Sequence, residues 1–200
     1  MHKSSRSIEK RKAAALEIQT EIEALVRTNQ EQAILAKIKS FDMCTKEDNV
    51  MRKRAGLYGI SVITVALYQK SGYQYLPLLV DPVIEAFRDR EQKVQQAACD
   101  ALFNIIKIVK EAILDRQEIF KKIFDGIINL MIDSATVNEL KEWAKSVDDL
   151  LKNQVYNALS KSHPFDLEKL IQYISDKLNV NQNPDVIVVL IKWVELLHSI

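Results

Sequence analysis

Three columns of small residues, set 42 positions apart, constrain this chain more than any other feature. Ala13-Ala14 is followed by Ile18, Ala55-Gly56 by Ile60, and Ala97-Ala98 by Leu102. The series continues less regularly through Val147 and Val194, 45 and 47 residues further on. A period of about 40–47 residues with two helices per unit is the pattern of HEAT and armadillo-type arrays. One helix pair cannot bury its own apolar face. Stacked pairs bury a continuous core, and small residues let neighbouring helices close in. The spacing therefore predicts an all-α fold, an α-solenoid built as a right-handed superhelix of antiparallel helix pairs.

Local periodicity agrees. Val94, Ala97, Ala98, Ala101, Leu102, Ile105, Ile108 and Val109 fall at the three-and-four spacing of one helix face. Ile18, Ile22, Leu25 and Val26 repeat it, as do Phe120, Phe124, Ile127, Ile128 and Met131. The β-branched run Val186-Ile187-Val188-Val189 continues into Leu190-Ile191-Lys192-Trp193 with no turn signal, so it reads as a buried helix, with a strand as the alternative. Four glycines and four prolines in 200 residues leave little turn chemistry for a strand-rich protein. Pro77, Pro164 and Pro184 suit helix first turns, where a missing N–H costs nothing. Pro82 lies inside a helical pattern and predicts a kink, not a break. Helices are expected at 8–27, 30–42, 50–70, 73–88, 91–111, 115–132, 138–160, 166–178 and 184–199. Residues 1–7 are expected to be irregular, and 8–200 to form one solenoid of about four and a half pairs.

Apolar residues make up 48% of the chain, enough for a core, and the net charge is only +1. That balance speaks against a nucleic-acid binder, whose domain is usually distinctly basic. Two cysteines, Cys44 and Cys99, cannot staple a secreted scaffold, and the first residues carry no apolar stretch of a secretory signal. The longest uncharged run, Ala55 to Gln69, is 15 residues, whereas a membrane span needs about 20. A cytoplasmic chain is expected.

Chemistry-bearing motifs are sparse. His2, His163 and His198 are dispersed, and neither cysteine has a second at metal-ligand spacing, so no metal, cofactor or catalytic set is expected. Cys99 sits among core alanines and reads as a small buried hydrophobe. Asp148-Asp149 reads as a solvated face, since adjacent helical residues point in different directions. Gly56-Leu57-Tyr58-Gly59 lies within a helical pattern and reads as close helix packing, not a phosphate cradle. HEAT-like alkylpurine DNA glycosylases share the architecture, and Trp143 with Asp148 could imitate their site. Residues 61–200, however, carry 16 Lys/Arg against 19 Asp/Glu, the wrong sign for a phosphate-binding groove.

The charge asymmetry carries more. Residues 1–60 hold 12 Lys/Arg against 8 Asp/Glu. Lys10-Arg11-Lys12 and Arg52-Lys53-Arg54 occupy equivalent places in the first two repeats, where cations near a helix start oppose its dipole. Two readings stand: a partner-binding basic ridge, its triplets ~10 Å apart on neighbouring helices, or ordinary charges paired locally, for example Asp48 with Arg52. Gln96, Phe103 and Asn104 are further candidates on a concave face made by the second helix of each pair. If the chain is part of a longer scaffold, the last helix, with Trp193, Leu196 and Leu197, is expected to expose apolar surface and to self-associate through it.

Six blocks, taken in order, resemble one family: Lys10 to Ile18, Arg54 to Leu67, Ala98 to Ile105, Ile123 to Gly126, Asp149 to Lys152 and Pro164 to Leu167. They are similar to the N-terminal HEAT region of the vacuolar-morphology scaffold family "Vac fourteen", over Glu9 to Ile200. The resemblance implies a non-catalytic scaffold, peripheral on endosomal or vacuolar membranes, whose membrane contact is indirect. It implies a phosphatidylinositol 3-phosphate 5-kinase as the partner of this region. A Sac-type phosphoinositide phosphatase and self-association belong to the family's C-terminal half, which has no counterpart in these residues. Together these partners control phosphatidylinositol 3,5-bisphosphate synthesis and turnover. Gln95-Gln96 departs from the basic pairs at Arg11-Lys12 and Lys53-Arg54. A generic HEAT adaptor for intracellular transport or trafficking is the alternative.

Overall fold

The computed structural model describes residues 2–68, 72–132, 138–161 and 165–199, with the side chains of 2–8 outside the description. Among these residues the fold is all-α. The helices are α1 (His2–Arg27), α2 (Glu31–Thr45), α3 (Val50–Tyr68), α4 (Leu76–Ala86), α5 (Gln92–Val109), α6 (Gln117–Ile132), α7 (Asn138–Ser160), α8 (Leu167–Val180) and α9 (Pro184–His198). Short 3₁₀ turns occupy Gly72–Tyr75 and Lys110–Ile113. Contacts cluster into two compact units, residues 1–108 and 109–200.

In the first unit, α3 is the central element. It packs against α1, α2 and α4, which is why its sequence is apolar nearly all round and not along one stripe. Leu57, Ile60, Ile63 and Leu67 are fully buried. Gly56 and Gly59 are required by the approach of α2: a Cβ on Gly56 would lie 2.7 Å from the Phe41 carbonyl oxygen, and one on Gly59 would enter the Phe41 ring. The close-packing reading of these glycines is therefore correct. The first small pair behaves differently, for Ala13 and Ala14 are both exposed, and α1 turns Ile22 inward instead. Buried Thr64 satisfies its hydroxyl on the Ile60 carbonyl at 2.9 Å, within its own helix.

The ends of the elements follow from local chemistry. Asn29 takes a left-handed φ of 52° after α1, and the Gln30 and Asn29 amides return to the Leu25 and Val26 carbonyls at 3.0 and 3.2 Å. That double bond closes the helix, and asparagine tolerates the conformation. Pro77 lies in the first turn of α4, and the helix runs on through buried Pro82. Helical backbone begins at His2, not at Ile8, since residues 2–7 contain no glycine or proline to stop it. α5 stops at Val109, short of the expected 111, because Lys110 turns left-handed at φ 52°. The turn folds Ala112, Ile113 and Leu114 into the second unit's core, a tertiary demand that no local residue announces. Pro164 lies outside the described residues.

The second unit is built on aromatic packing. α6 packs on α7 and α9, and α8 on α9. Trp193 of α9 is fully buried, with its ring 6.1 Å from Phe120 and 5.3 Å from Phe124, both tilted toward edge-to-face. The expectation that Trp193 would help expose an apolar end is thus corrected. The inward stripe of α9 is Val186, Val189, Leu190 and Trp193, while Val188, Ile191 and Val194 face outward. Asp166 caps α8 by accepting from the Lys169 amide at 3.0 Å, and Asn183 caps α9 by accepting from the Asp185 amide at 3.0 Å.

Candidate partner-binding surface

The basic residues at the start of α3 are each answered by an acid of the same unit. Asn49 caps the helix, accepting from the Met51 and Arg52 amides at 2.9 and 3.1 Å. Arg52 then forks onto Glu47, its Nε and Nη2 each 3.1 Å from one carboxylate oxygen. The guanidinium holds the Glu47 carboxyl below its ordinary range, and the carboxylate raises Arg52 in turn. The partner is Glu47, where the sequence suggested Asp48. Lys53 reaches 36 residues along the chain to Asp89 at 2.6 Å, with only 18% and 11% of the two side chains exposed. Asp89 also accepts from the Glu91 amide at 2.9 Å, so it shapes the entry to α5 as well. Arg54 acts on Asp100 of α5, opposing the upward shift that partial burial gives its carboxyl.

This geometry resolves why cations sit against the helix dipole. Lys53 ties α3 to the turn before α5, a structural task. Arg52 is exposed and Arg54 half-buried, so they present charge at the surface while engaged with carboxylates. Lys10, Arg11 and Lys12 lie exposed on α1, which packs directly on α3.

The α5 candidates divide. Gln95, beside Gln96, is buried and donates its side-chain amide to the Phe87 carbonyl at 3.0 Å, satisfying a carbonyl at the end of α4. A cation there would have to give up most of its hydration, which explains the departure from the basic pairs at Gln95. Gln96 and Phe103 are half-buried and Asn104 is exposed, so all three reach the surface on one helix. The spacing 96, 103 places two of them about two turns apart.

In the second unit, Asp148 is the largest surprise. It is 2% exposed, not solvated, and pairs with the Lys152 ammonium while accepting from Trp193 Nε1 at 2.9 Å. Burial raises its carboxyl above the ordinary range, against the opposing pull of Lys152 and the hydrogen bonds. Its neighbour Asp149 is exposed as expected. A signal for this existed: Ala144, Asp148, Leu151 and Val155 share the i, i+4, i+7, i+11 stripe that faces the core. Trp143 stands 37% exposed, while Asp148 is committed to Trp193, so the two do not form the glycosylase-like pair. Cys99 is fully buried, as the sequence indicated, and burial pushes its thiol up to about 12. No described group of three or more His, Cys, Asp or Glu side chains could hold a metal ion, and among the described residues no helix is long and apolar enough to cross a membrane.

Comparison with known proteins shows the family of this chain. A family model described as the Vacuolar 14 Fab1-binding region matches residues 51–153. That segment contains Arg52, Lys53, Arg54, Gln96, Phe103 and Asn104, and leaves out Lys10 to Lys12. The chain is 33% identical to Protein VAC14 homolog of Arabidopsis thaliana over 202 residues, 98% of this chain and 25% of that protein. It is 32% identical to the Vacuole morphology and inheritance protein 14 of Saccharomyces cerevisiae over 154 residues, 76% of this chain and 17% of that one. Protein VAC14 homolog of Schizosaccharomyces pombe is 23% identical over 227 residues, 96% of this chain and 27% of that one. The chain thus spans between 17% and 27% of the length of these relatives. No solved structure matches it.

Proposed function

We propose, since the chain belongs to the Vac14 family, that it is a non-catalytic scaffold segment that binds a Fab1-type phosphatidylinositol 3-phosphate 5-kinase. The observation that carries this is the Fab1-binding family model, which covers the start of α3 and the whole of α5. The 42-residue period supports a HEAT-type array. The scaffold acts by position. It raises the effective concentration of kinase and membrane substrate, so its effect on phosphatidylinositol 3,5-bisphosphate is indirect. The complex would sit on endosomal or vacuolar membranes through its other members, with a Sac-type phosphatase bound by family regions outside these residues. The outward row Val188, Ile191 and Val194 on α9 supports self-association as a further property.

Within the first unit, the kinase-facing residues are Arg52 and Arg54 together with Gln96, Phe103 and Asn104, flanked by Lys10, Arg11 and Lys12. Lys53 supports them from beneath through Asp89. The test is surface plasmon resonance of the chain on immobilised Fab1-type kinase across a salt series. Replacing Arg52 and Arg54 by alanine should slow association and flatten its salt dependence, because surface charges act chiefly on encounter. Replacing Gln96, Phe103 and Asn104 should speed dissociation instead. A chain that is folded by circular dichroism and shows no kinase binding would sink the proposal.

A further inference from the structure

The second unit holds a groove that the kinase reading does not use. It measures about 280 Å³ and runs between the start of α6 and α8. Buried Phe120 and Leu170 form its floor, and the rings of Phe165 and Tyr173 form its walls. Phe165 and the α8 residues lie outside the segment matched by the Fab1-binding family model, while Gln117, Phe120 and Lys121 of α6 lie inside it.

Its walls are fixed by their own contacts. Phe120 is set between Phe165 at 5.8 Å and the Phe124 and Trp193 rings at 6.1 Å each. Tyr173 donates its hydroxyl to Asp125, which also takes Lys177 at 2.5 Å. Burial and the Asp125 carboxylate keep that phenol protonated well above its ordinary range. The groove therefore cannot close by swinging Tyr173 inward without breaking this pair, and an apolar hollow of this kind gains most by burying a guest. A single bulky apolar side chain fits within it.

The rim charges are unequal. Lys169 is held by Asp166 at 2.7 Å. Asp176 accepts from the neutral Gln172 amide at 2.8 Å and keeps its charge at the α8 side of the rim. Lys121 has its ammonium 5.2 Å from the centre of the Tyr173 ring, and no described carboxylate forms an ion pair with it. A cation so placed beside an apolar hollow is complementary to a carboxylate next to an apolar anchor.

The geometry points to this groove as the docking site for a protein segment that inserts one bulky apolar side chain between Phe165 and Tyr173 and sets a neighbouring carboxylate on Lys121. This does not depend on kinase binding. The anchor supplies affinity and the carboxylate sets register, the usual division between a buried hot spot and its polar rim.

The experiment titrates the isotopically labelled chain with synthetic peptides on a Gly/Ser/Gln background, followed by amide chemical shifts. Each peptide carries one Phe, Leu, Trp or Met and one Glu one to four residues away. Shifts should centre on Gln117, Lys121, Lys169, Gln172 and Tyr173. Exchanging the apolar residue for Ala should weaken binding about tenfold or more. Lys121→Glu should weaken it about three- to tenfold, since a rim ion pair is replaced by a repulsion. Pairing Lys121→Glu with a peptide whose Glu is Lys should restore it. Lys121 is exposed, so the variant should keep the parent spectrum. Absence of shifts across the whole peptide set, or indifference to the charge swap, overturns the proposal. Movement of the same resonances on concentrating the chain alone would make a second copy the occupant and overturn it equally.

Discussion

The two units solve one packing problem in opposite ways. The first brings helices together by removing side chains: Gly56 and Gly59 let α2 lie against α3, and the ionic contacts stay at or near the surface. The second fills its interior with rings. Phe120, Phe124 and Trp193 pack together, and the Asp148–Lys152 ion pair is taken inside with them. The difference teaches where charge is available. In the first unit Arg52 and Arg54 reach solvent and can meet a partner. In the second, Asp148 and Lys152 are consumed by holding α7 to α9, and recognition falls to an apolar groove.

The sharpest way to break this contrast is to unpair the internal charge. Lys152→Ala leaves Asp148 buried without its cation, and should destabilise the second unit by about 3–5 kcal/mol. Pairing Asp148→Asn with Lys152→Met should recover most of that loss, because the amide oxygen still accepts from Trp193. Urea unfolding followed by Trp193 fluorescence, in a Trp143→Phe background, reads both. The pH dependence has a definite sign. Burial raises the folded Asp148 carboxyl, so its stabilising contribution is complete below the ordinary carboxylate value and is lost as pH rises through the raised one. Asp148→Asn should remove that downward slope; an unchanged slope would mean the carboxyl is not the group responsible.

A smaller effect probes the first unit. Gly56→Ala should destabilise it by about 1–3 kcal/mol, because the added methyl meets the Phe41 carbonyl oxygen. Helix propensity alone favours alanine by about 1 kcal/mol, so a stabilised variant would show that α2 and α3 are not in this contact. Hydrogen exchange of α2 and α3 amides is the measurement.

The smallest separates structure from recognition within one triplet. Lys53→Met should cost about 1–2 kcal/mol, between exposed and buried pairs, because Asp89 loses its partner at a sheltered turn. Arg52→Met should leave the melting temperature unchanged, its fork on Glu47 being open to water. Equal losses from both variants would erase the distinction drawn between them.

Much of this was legible in the sequence, and the exceptions have physical causes. Helix positions followed from period and sparse punctuation, and Gly56 and Gly59 announced close packing because nothing else excuses glycine inside a helix. The end of α5 at Lys110 was not legible, since a left-handed lysine is imposed by the burial of Ala112 to Leu114, not by its own chemistry. Asp148 was misread because residue type was weighed above helical phase. The partners of Lys53 and Arg54 lie 36 and 46 residues away, beyond any local pattern.

Burial of Cys99 has a practical corollary. A thiol raised to about 12 and shut inside α5 carries almost no thiolate at neutral pH and offers no access to an alkylating reagent. In a Cys44→Ser background it becomes an internal clock, reacting only when the first unit opens. Both tryptophans lie in the second unit. One natural chain thus carries a chemical reporter for one half and an optical reporter for the other, so the breathing of each can be timed separately without attaching a foreign label.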